Sequence, residues 1–385
     1  MAKSYLLTPG PTQIPLEVAF KEAMPVIHHR TNEFGLIYKN VVSKLKCIFK
    51  TKNDVYILST SGTGAMEAAI VNLLSFGDEI IVASCGIFGK RWVEIAKEYG
   101  IKIIHICVEL GKIIKPYEIE KILNNNVNVK AVYTTFVETS TCVVNDIMSI
   151  GKIVSKTKAI FVVDAISGLV GQEFKTDEWN VDVVVSSSQK GFMVAPGLAF
   201  ITFSNKAWEL VKNSKLPKFY LDIKKYKKSY FTNGTPFTPS ITLISSLDES
   251  LKLIHNKGLE NIWNDCRLFA KAVRAGMLAI GLNPFGEKPC DVVTAAIIPC
   301  KIGVKITKIL KEKYNVSIAD GHGDLKGKII RFAHMGYIGI TDLLVGFACL
   351  EMALTELGMK IEKGKSVATI EEMLLPIKNK FIERV

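Results

Sequence analysis

The 385-residue chain is longer than a single compact core usually is, so its length predicts one large domain and one smaller domain. Hydrophobic residues make up 48% and charged residues 22% of the chain, which excludes the disordered and fibrous protein classes. The net charge of +12 alone would suit nucleic acid, but the lysines are spread along the chain rather than gathered with aromatic residues into a recognisable binding motif, and we expect no nucleic-acid partner.

The N-terminal sequence predicts no export. Only three adjacent apolar residues, at positions 5–7, precede a turn, too few for the core of a signal peptide. The charge-free stretch Phe231–Leu247 is rich in Thr, Ser and Pro and is unlike a membrane-spanning helix. The eight cysteines and six histidines lack the spacings of metal or disulfide frameworks. We therefore expect a cytoplasmic protein with neither a metal site nor a membrane segment.

Short β-branched runs alternate with helical patterns in the first part of the chain. After the first run, apolar residues from Gly64 to Leu74 recur at helical spacing, and Gly77-Asp78 marks the end of that helix. Strand, helix and strand in succession predict a mostly parallel α/β sheet. The predicted buried strands are Asp54–Leu58, Ala131–Thr135, Ile160–Asp164 and Val181–Val185.

The pattern changes after residue 257 to long helices around fewer strands. Two strands are predicted there, Thr294–Pro299 and Lys328–Phe332. A helix is predicted over Asp342–Leu357, with Thr341 as its N-cap. We therefore predict an N-terminal arm and a large domain over residues 1–257, and a smaller C-terminal domain over residues 258–385.

A turn rich in small residues, Ser59–Gly64, lies between a predicted strand and a predicted helix. Its glycines let the backbone approach a ligand closely, the free N–H groups of the helix start point outward, and the hydroxyls of Ser61 and Thr63 add donors. This arrangement suits a phosphate group. The alternative, a turn that only caps the helix, stays open because the same residues serve that purpose without a ligand.

Asp164 and Lys190 each follow a predicted strand. Ligands bind at the carboxyl ends of strands in open α/β sheets, so we expect both side chains at one edge of the sheet. Small residues surround the lysine in the segment Ser186–Gly191. The alternatives are a helix N-cap for Asp164 and a solvent-exposed position for Lys190.

Short segments in a fixed order along the chain carry a family resemblance. They are Thr8–Pro11, His29-Arg30, Glu33-Phe34, Ser61–Gly64, Glu67–Ala69, Gly86–Gly89, Glu138–Thr141, Asp164, Ser188–Lys190, Pro196-Gly197 and Arg331. With these segments the chain resembles the class V aminotransferases, which are fold type I enzymes that use pyridoxal phosphate. The resemblance runs nearly end to end and is strongest to the alanine–glyoxylate and serine–pyruvate aminotransferases.

The resemblance implies a large domain with a mostly parallel seven-stranded sheet, a smaller C-terminal α+β domain, and pyridoxal phosphate as the cofactor. It makes Lys190 the residue that carries the cofactor and Asp164 the partner of the pyridine nitrogen. It assigns Phe88 to the face of the cofactor ring and Thr139 to the ring edge. The residues that it assigns to the phosphate are Ser61, Gly62, Thr63 and Gln189.

The resemblance also implies substrate contacts and an assembly. Gly10 and Arg331 would bind the substrate, with the planar fork of Arg331 on the α-carboxylate. Thr235 and Thr238 would reach the phosphate of a neighbouring subunit. This implies a homodimer with shared active sites.

Two positions depart from the family pattern. Phe136 stands where many relatives have His or another small polar residue, and Cys142 stands where a Gly follows the Ser-Thr pair. We expect both side chains near the edge of the cofactor ring. There they would alter substrate or cofactor contacts, whereas Lys190 and Asp164 match the pattern.

The function that fits these residues best is transfer of an amino group from alanine or serine to glyoxylate or pyruvate. Donors with a second carboxylate usually need a second cation, and the sequence around Arg331 offers only His322 and His334, which are poor clamps when neutral. Aspartate, phosphoserine and aminoethylphosphonate transaminases of the same family are alternatives. Weaker alternatives are a cysteine desulfurase, since Gln189 stands where that branch has His, and a non-enzymatic scaffold on the same fold.

Overall fold

A seven-stranded sheet lies at the centre of the computed structural model, which describes residues 3–299 and 302–375. Smaller sheets accompany it. The strands are β1 (Tyr5–Leu6), β2 (Val55–Leu58), β3 (Glu79–Ser84), β4 (Lys102–Cys107), β5 (Val129–Thr135), β6 (Val137–Glu138), β7 (Val143–Val144), β8 (Ile160–Asp164), β9 (Val183–Ser187), β10 (Ala199–Phe203), β11 (Val293–Ile297), β12 (Val316–Ser317), β13 (Ala319–Asp320) and β14 (Ile329–Ala333). The helices are α1 (Leu16–Glu22), α2 (Asn32–Phe49), α3 (Gly62–Leu73), α4 (Ile87–Glu98), α5 (Pro116–Asn125), α6 (Ile147–Val154), α7 (Asn205–Asn213), α8 (Ile223–Tyr230), α9 (Ile241–Lys257), α10 (Leu259–Ala279), α11 (Gly303–Tyr314), α12 (Ile340–Glu356) and α13 (Lys365–Leu374).

The strand order in the central sheet is β2-β10-β9-β8-β5-β3-β4. Among the described strands of this sheet only β10 runs antiparallel to its neighbours, so the prediction of a mostly parallel seven-stranded sheet is confirmed. Alternate strand residues enter two apolar clusters, one on each face of the sheet. Every residue of β8 and β9 is buried because helices cover both faces.

The predicted strands lie within two residues of the observed ones. The run Ile160–Asp164 coincides with β8, whereas β9 begins at Val183, later than predicted. The delay is local in origin, because the N–H of Val181 bonds to the carbonyl of Thr176 and closes a turn. The neighbouring Asp182 carboxylate accepts the N–H of Phe161 at 2.9 Å and so holds the entry to the strand.

The helix predicted from Asp342 is α12, but its N-cap is Gly339, so the prediction of Thr341 is wrong. The Asp342 carboxylate accepts the N–H of Gly339 at 2.8 Å and starts the helix earlier than the capping preference of Thr indicates. Helix α3 also begins earlier than predicted, at Gly62. None of the helices in the described residues has the length and apolar character needed to cross a membrane.

The C-terminal part of the chain forms its own layer. Strands β11, β14 and β13 make an antiparallel sheet, and a third apolar cluster joins it to α10–α13. The N-terminal arm belongs to this layer too, since β1 pairs with β12 and Leu7 is buried in the same cluster. The predicted domain boundary after residue 257 falls at Gly258, between α9 and α10, and stays a prediction.

Candidate active site

Asp164 and Lys190 follow adjacent parallel strands at one edge of the central sheet. Asp164 is the last residue of β8, and Lys190 lies just beyond the end of β9 at Ser187. The charge of each side chain shifts the pKa of the other. The structure therefore brings a carboxyl group and an amine together at the edge where ligands bind in sheets of this type.

The Asp164 carboxyl group is buried, with 3% of the residue exposed. Its Oδ1 accepts the N–H of Ile166 at 2.8 Å, while Oδ2 has no hydrogen-bond partner among the described residues. The chain turns after Asp164 instead of forming a helix, so the alternative role of helix N-cap is wrong. Burial raises the pKa of Asp164 to about 7, and a cation facing Oδ2 would lower it.

Lys190 is half-buried, which excludes the alternative of a fully solvated surface lysine. Burial and then the positive charge of Arg331 lower the pKa of Lys190 to about 8, while Asp164 acts in the opposite direction. A substantial fraction of the amine is therefore neutral near pH 8. A neutral lysine can act as a nucleophile and as a base.

The N-terminal arm packs against the Lys190 side chain. The lysine Nζ donates to the carbonyl of Pro9, and the Thr12 hydroxyl donates to the carbonyl of Lys190 at 2.9 Å. Gly10 has a φ of +112°, and a Cβ there would lie 2.6 Å from the lysine Cδ and Cε atoms. The position therefore requires Gly for both conformation and space. The predicted contact of Gly10 with substrate stays a prediction.

The start of α3 has the features expected of an anion-binding site. Ser61 is its N-cap but makes no side-chain capping bond, so the first N–H groups of the helix, which include those of Gly62 and Thr63, are free for a ligand. A Cβ on Gly62 would meet the Ser187 Oγ at 3.1 Å. Ser187 Oγ and Gln189 Oε1 are buried without partners in the described residues. Unsatisfied polar atoms beside a glycine cradle fit a phosphate better than an empty helix cap.

Phe88 lies at the start of α4, which a buried carboxylate anchors. Glu138 accepts the N–H of Gly89 at 2.8 Å and that of Phe88 at 3.3 Å. One turn later, the Arg91 guanidinium lies 5.0 Å from the centre of the Phe88 ring and donates to the Thr63 hydroxyl at 3.2 Å. The sequence interpretation missed Arg91, although its spacing of three residues from Phe88 places both on one helix face.

Arg331 projects from β14 and is 3% exposed, so it is not a residue of a surface ion pair. Its Nε and Nη2 donate to the carbonyl of Asp320 at 2.9 and 2.7 Å, and Nη1 donates to the carbonyl of Thr139 at 2.9 Å. Among the described residues it has no carboxylate partner at ion-pair distance. The Thr139 hydroxyl bonds to Ser167, so Thr139 positions Arg331 through its backbone.

Of the two histidines predicted near Arg331, only His322 lies at the site. Its ring meets the Phe88 ring edge-on, with centroids 6.2 Å apart. His334 is buried beside the Thr294 hydroxyl, 3.0 Å from its Nε2, and burial lowers the pKa of His334 to about 3. Sequence proximity to Arg331 therefore does not decide which imidazole lies beside Phe88.

The two departures from the family pattern have different places. The Phe136 ring packs against Phe174 and Trp179, with centroids 5.0 and 6.2 Å apart, so the expectation that it lies at the ring edge is wrong. Cys142 is fully buried and has a φ of +59°, a left-handed conformation that favours Gly. The charges of Arg331 and Lys190 reach its thiol, so Cys142 borders the floor of the site.

Thr235 and Thr238 make no described contact with the phosphate end of the site. The Thr235 hydroxyl donates to the carbonyl of Phe237 at 2.7 Å, and Thr238 is exposed. Both lie between α8 and α9, where the N–H of Ser240 donates to the Ser59 hydroxyl at 3.0 Å. Their predicted reach into a second subunit stays a prediction.

Comparison with known proteins gives the family. Residues 4–325 match the class-V aminotransferases. The chain belongs to this family. It is 39% identical to the soluble hydrogenase 42 kDa subunit of Anabaena cylindrica over 95% of this chain and 97% of that protein. It is 34% identical to the L-aspartate–glyoxylate aminotransferase of Paracoccus denitrificans over 95% of both chains, and 32% identical to the serine–glyoxylate aminotransferase of Methylorubrum extorquens over 97% and 96%.

A solved structure gives the same result. The ureidoglycine–glyoxylate aminotransferase of Bacillus subtilis matches with a TM-score of 0.92 and 28% identity, over 97% of this chain and 98% of that chain. The expected fold type I architecture is confirmed, and the cofactor of this class-V aminotransferase is pyridoxal phosphate. Within residues 3–299 and 302–375, no group of three His, Cys, Asp or Glu side chains could hold a metal ion.

Proposed function

We propose that this class-V aminotransferase transfers the amino group of alanine or serine to glyoxylate or pyruvate. The observation that carries the proposal is Arg331, a buried guanidinium held by three carbonyl hydrogen bonds. A buried cation without an anionic partner is costly, and an α-carboxylate would complete its coordination. Relatives named for glyoxylate aminotransferases support the acceptor.

In this proposal Lys190 carries the cofactor and moves the proton. When bound, pyridoxal phosphate supplies a ring that accepts the electrons left on the substrate Cα. The lowered pKa of Lys190 leaves enough neutral amine to attach the cofactor and, once the substrate amine has displaced it, to take the Cα proton. The carbonyl of Pro9 supports the proposal, because it holds the amine in one orientation.

The remaining roles follow from the geometry around Lys190. Asp164 would face the pyridine nitrogen with its unpartnered Oδ2, and Phe88 would cover one face of the ring. Thr139 would lie at the ring edge. The phosphate would be held by the start of α3 and the end of β9, through Ser61, Gly62, Thr63 and Gln189.

The proposed enzyme is a cytoplasmic homodimer in which Thr235 and Thr238 reach the phosphate of the other subunit. Apolar side chains exposed on α1 support a covered surface there, since Leu16 is 77% and Phe20 63% exposed. No contact described for the site requires a phosphate group on the substrate or a nucleic-acid partner.

Aspartate is the second candidate donor, and Arg91 is the observation that favours it. The charge of Arg91 reaches both Asp164 and His322, so a second cation lies within the field of the site. Its guanidinium already bonds to Thr63 and covers Phe88, however, and a distal carboxylate would have to compete for it. The relative from Paracoccus denitrificans is named for aspartate as donor.

A donor panel tests the proposal. We expect kcat/KM with glyoxylate to be higher for alanine and serine than for aspartate and glutamate, because Arg331 has no adjacent unengaged cation among the described residues. Pockets that discriminate by a methylene give differences of about 10- to 200-fold, which sets the expected scale. Arg331→Lys should lower kcat/KM for every donor. If kcat/KM for aspartate exceeds that for serine by more than 10-fold, aspartate is the donor, and Arg91 is the candidate cation for its distal carboxylate.

A further inference from the structure

His322 lies at a junction between the two layers of the molecule. It follows β13 and precedes a 3-10 turn at Gly323–Leu325, while the ring that it meets, Phe88, belongs to α4 of the large layer. A Cβ on Gly323 would lie 3.5 Å from the Ile87 Cδ1, so the backbone of this loop also approaches α4. The loop therefore lies against the start of α4.

The same peptide segment holds the substrate arginine. The carbonyl of Asp320, two residues before His322, accepts two hydrogen bonds from the Arg331 guanidinium. The position of His322 is thus tied to the end of the site where a substrate carboxylate would bind. A donor held by Arg331 at one end and Lys190 at the other would place its side chain near this loop.

The imidazole of His322 is available to a ligand. Neither ring nitrogen has a hydrogen-bond partner in the described part of the chain, and the residue is exposed. Partial loss of solvent beside Phe88 and the positive charges of Arg331, Lys190 and Arg91 lower the pKa of His322, while Asp320 opposes them. The ring is therefore mostly neutral at pH 7 and offers one donor and one acceptor, which suits a hydroxyl group better than a carboxylate.

We propose that His322 is a specificity-determining residue that hydrogen-bonds the side-chain hydroxyl of a serine donor. The inference rests on the proposed aminotransferase function and deepens it, because it selects serine over alanine. A methyl side chain gains nothing from a ring nitrogen, whereas a hydroxyl beside Phe88 can hydrogen-bond to it. Sites that bond to a substrate hydroxyl discriminate more strongly than purely apolar pockets do.

The test compares serine and alanine in the cofactor-loaded wild type, His322→Phe and His322→Gln, each with glyoxylate. Phe keeps an aromatic ring against Phe88 and removes the nitrogens, while Gln restores a donor and an acceptor. We expect His322→Phe to lower kcat/KM for serine about 10-fold, mainly through KM, and to leave alanine within about twofold. His322→Gln should recover part of the serine activity. His255→Phe, at an exposed position of α9, is the matched control and should leave kcat/KM unchanged for both donors.

Three results would overturn the inference. An equal decrease of kcat/KM for both donors would show that His322 only packs the loop against Phe88. An unchanged ratio of serine to alanine would show that it does not contact the donor side chain. A wild-type enzyme that accepts neither donor would refute the proposed function as well, which separates that failure from a failure of His322 alone.

Discussion

Two neighbouring side chains at the site have pKa values displaced toward each other. Burial raises the pKa of Asp164 to about 7 and lowers that of Lys190 to about 8. Both groups therefore gain or lose their protons over nearly the same pH range, and each is partly neutral there. Such displaced pairs are typical of sites that move protons.

Lys190→Ala should abolish covalent attachment of the cofactor, because no other described lysine is placed between Asp164 and the start of α3. Borohydride reduction followed by peptide mapping measures it directly. Lys218, whose pKa burial also lowers, serves as the control in Lys218→Ala and should keep the label on Lys190. Label on any other lysine would refute the assignment.

The displaced pKa of Asp164 predicts how the cofactor-free protein responds to pH. The folded pKa of about 7 exceeds the ordinary value of 3.8, so unfolding favours loss of a proton and the protein loses stability as pH rises from about 4 to 7. Three pKa units correspond to at most about 4 kcal/mol. Asp164→Asn should remove this loss, as measured by urea unfolding at pH 4.5 and 7.

The lysine gives the control for that measurement. The folded pKa of Lys190 lies below the ordinary 10.5, so the folded protein gains stability as pH rises from about 8 to 10.5. Lys190→Met should remove this pH dependence of the free energy of unfolding in that window alone. If Asp164→Asn instead follows the wild type between pH 4.5 and 7, the carboxyl group is not protonated in the folded protein.

At the scale of elements, α4 depends on a carboxylate from another part of the sheet. Glu138, in β6, accepts N–H groups from Phe88 and Gly89, and the Ser140 hydroxyl donates to it at 2.6 Å and accepts from Ile87. The helix has no side-chain N-cap of its own. The anion at its N-terminus therefore replaces the missing cap and fixes Phe88.

Glu138→Ala should lower the free energy of unfolding by about 2 to 4 kcal/mol, because it leaves the N–H groups of Phe88, Gly89 and Ser140 without their acceptor. Cofactor affinity should fall with it, since Phe88 loses its anchor. The control is Glu94→Ala, an exposed residue on the same helix, which should cost less than about 0.5 kcal/mol. Equal effects in urea unfolding would show that Glu138 does not anchor the helix.

Elements that local physics determines were predictable from sequence, and contacts across the chain were not. A short apolar run rich in β-branched residues, such as Ile160–Val163, favours a buried strand, and β8 has the predicted bounds. The N-cap of α12 was missed because Asp342 reaches back to Gly339. Arg91 was missed because its partner Thr63 comes from another helix, and a sequence does not show which helix faces meet.

At the scale of the whole molecule, the two layers meet at the site from both ends of the chain. Phe88 and Lys190 belong to the layer of the central sheet, while Arg331 and His322 belong to the C-terminal layer. Neither layer alone contains both the predicted cofactor-binding residues and the predicted substrate-binding arginine. The resemblance in sequence named residues from both layers, but only the fold shows that His322 and not His334 meets the Phe88 ring.

The N-terminal arm gives this arrangement a mechanical consequence. Its strand β1 is paired to β12 in the C-terminal layer, and only a few residues later the carbonyl of Pro9 receives the Lys190 amine. Only two residues separate Leu6, the end of β1, from Pro9, so the chain between these two attachments cannot lengthen appreciably. A displacement of the C-terminal layer would therefore move the carbonyl that holds the Lys190 amine, which couples the position of the layer that carries Arg331 to the orientation of that amine.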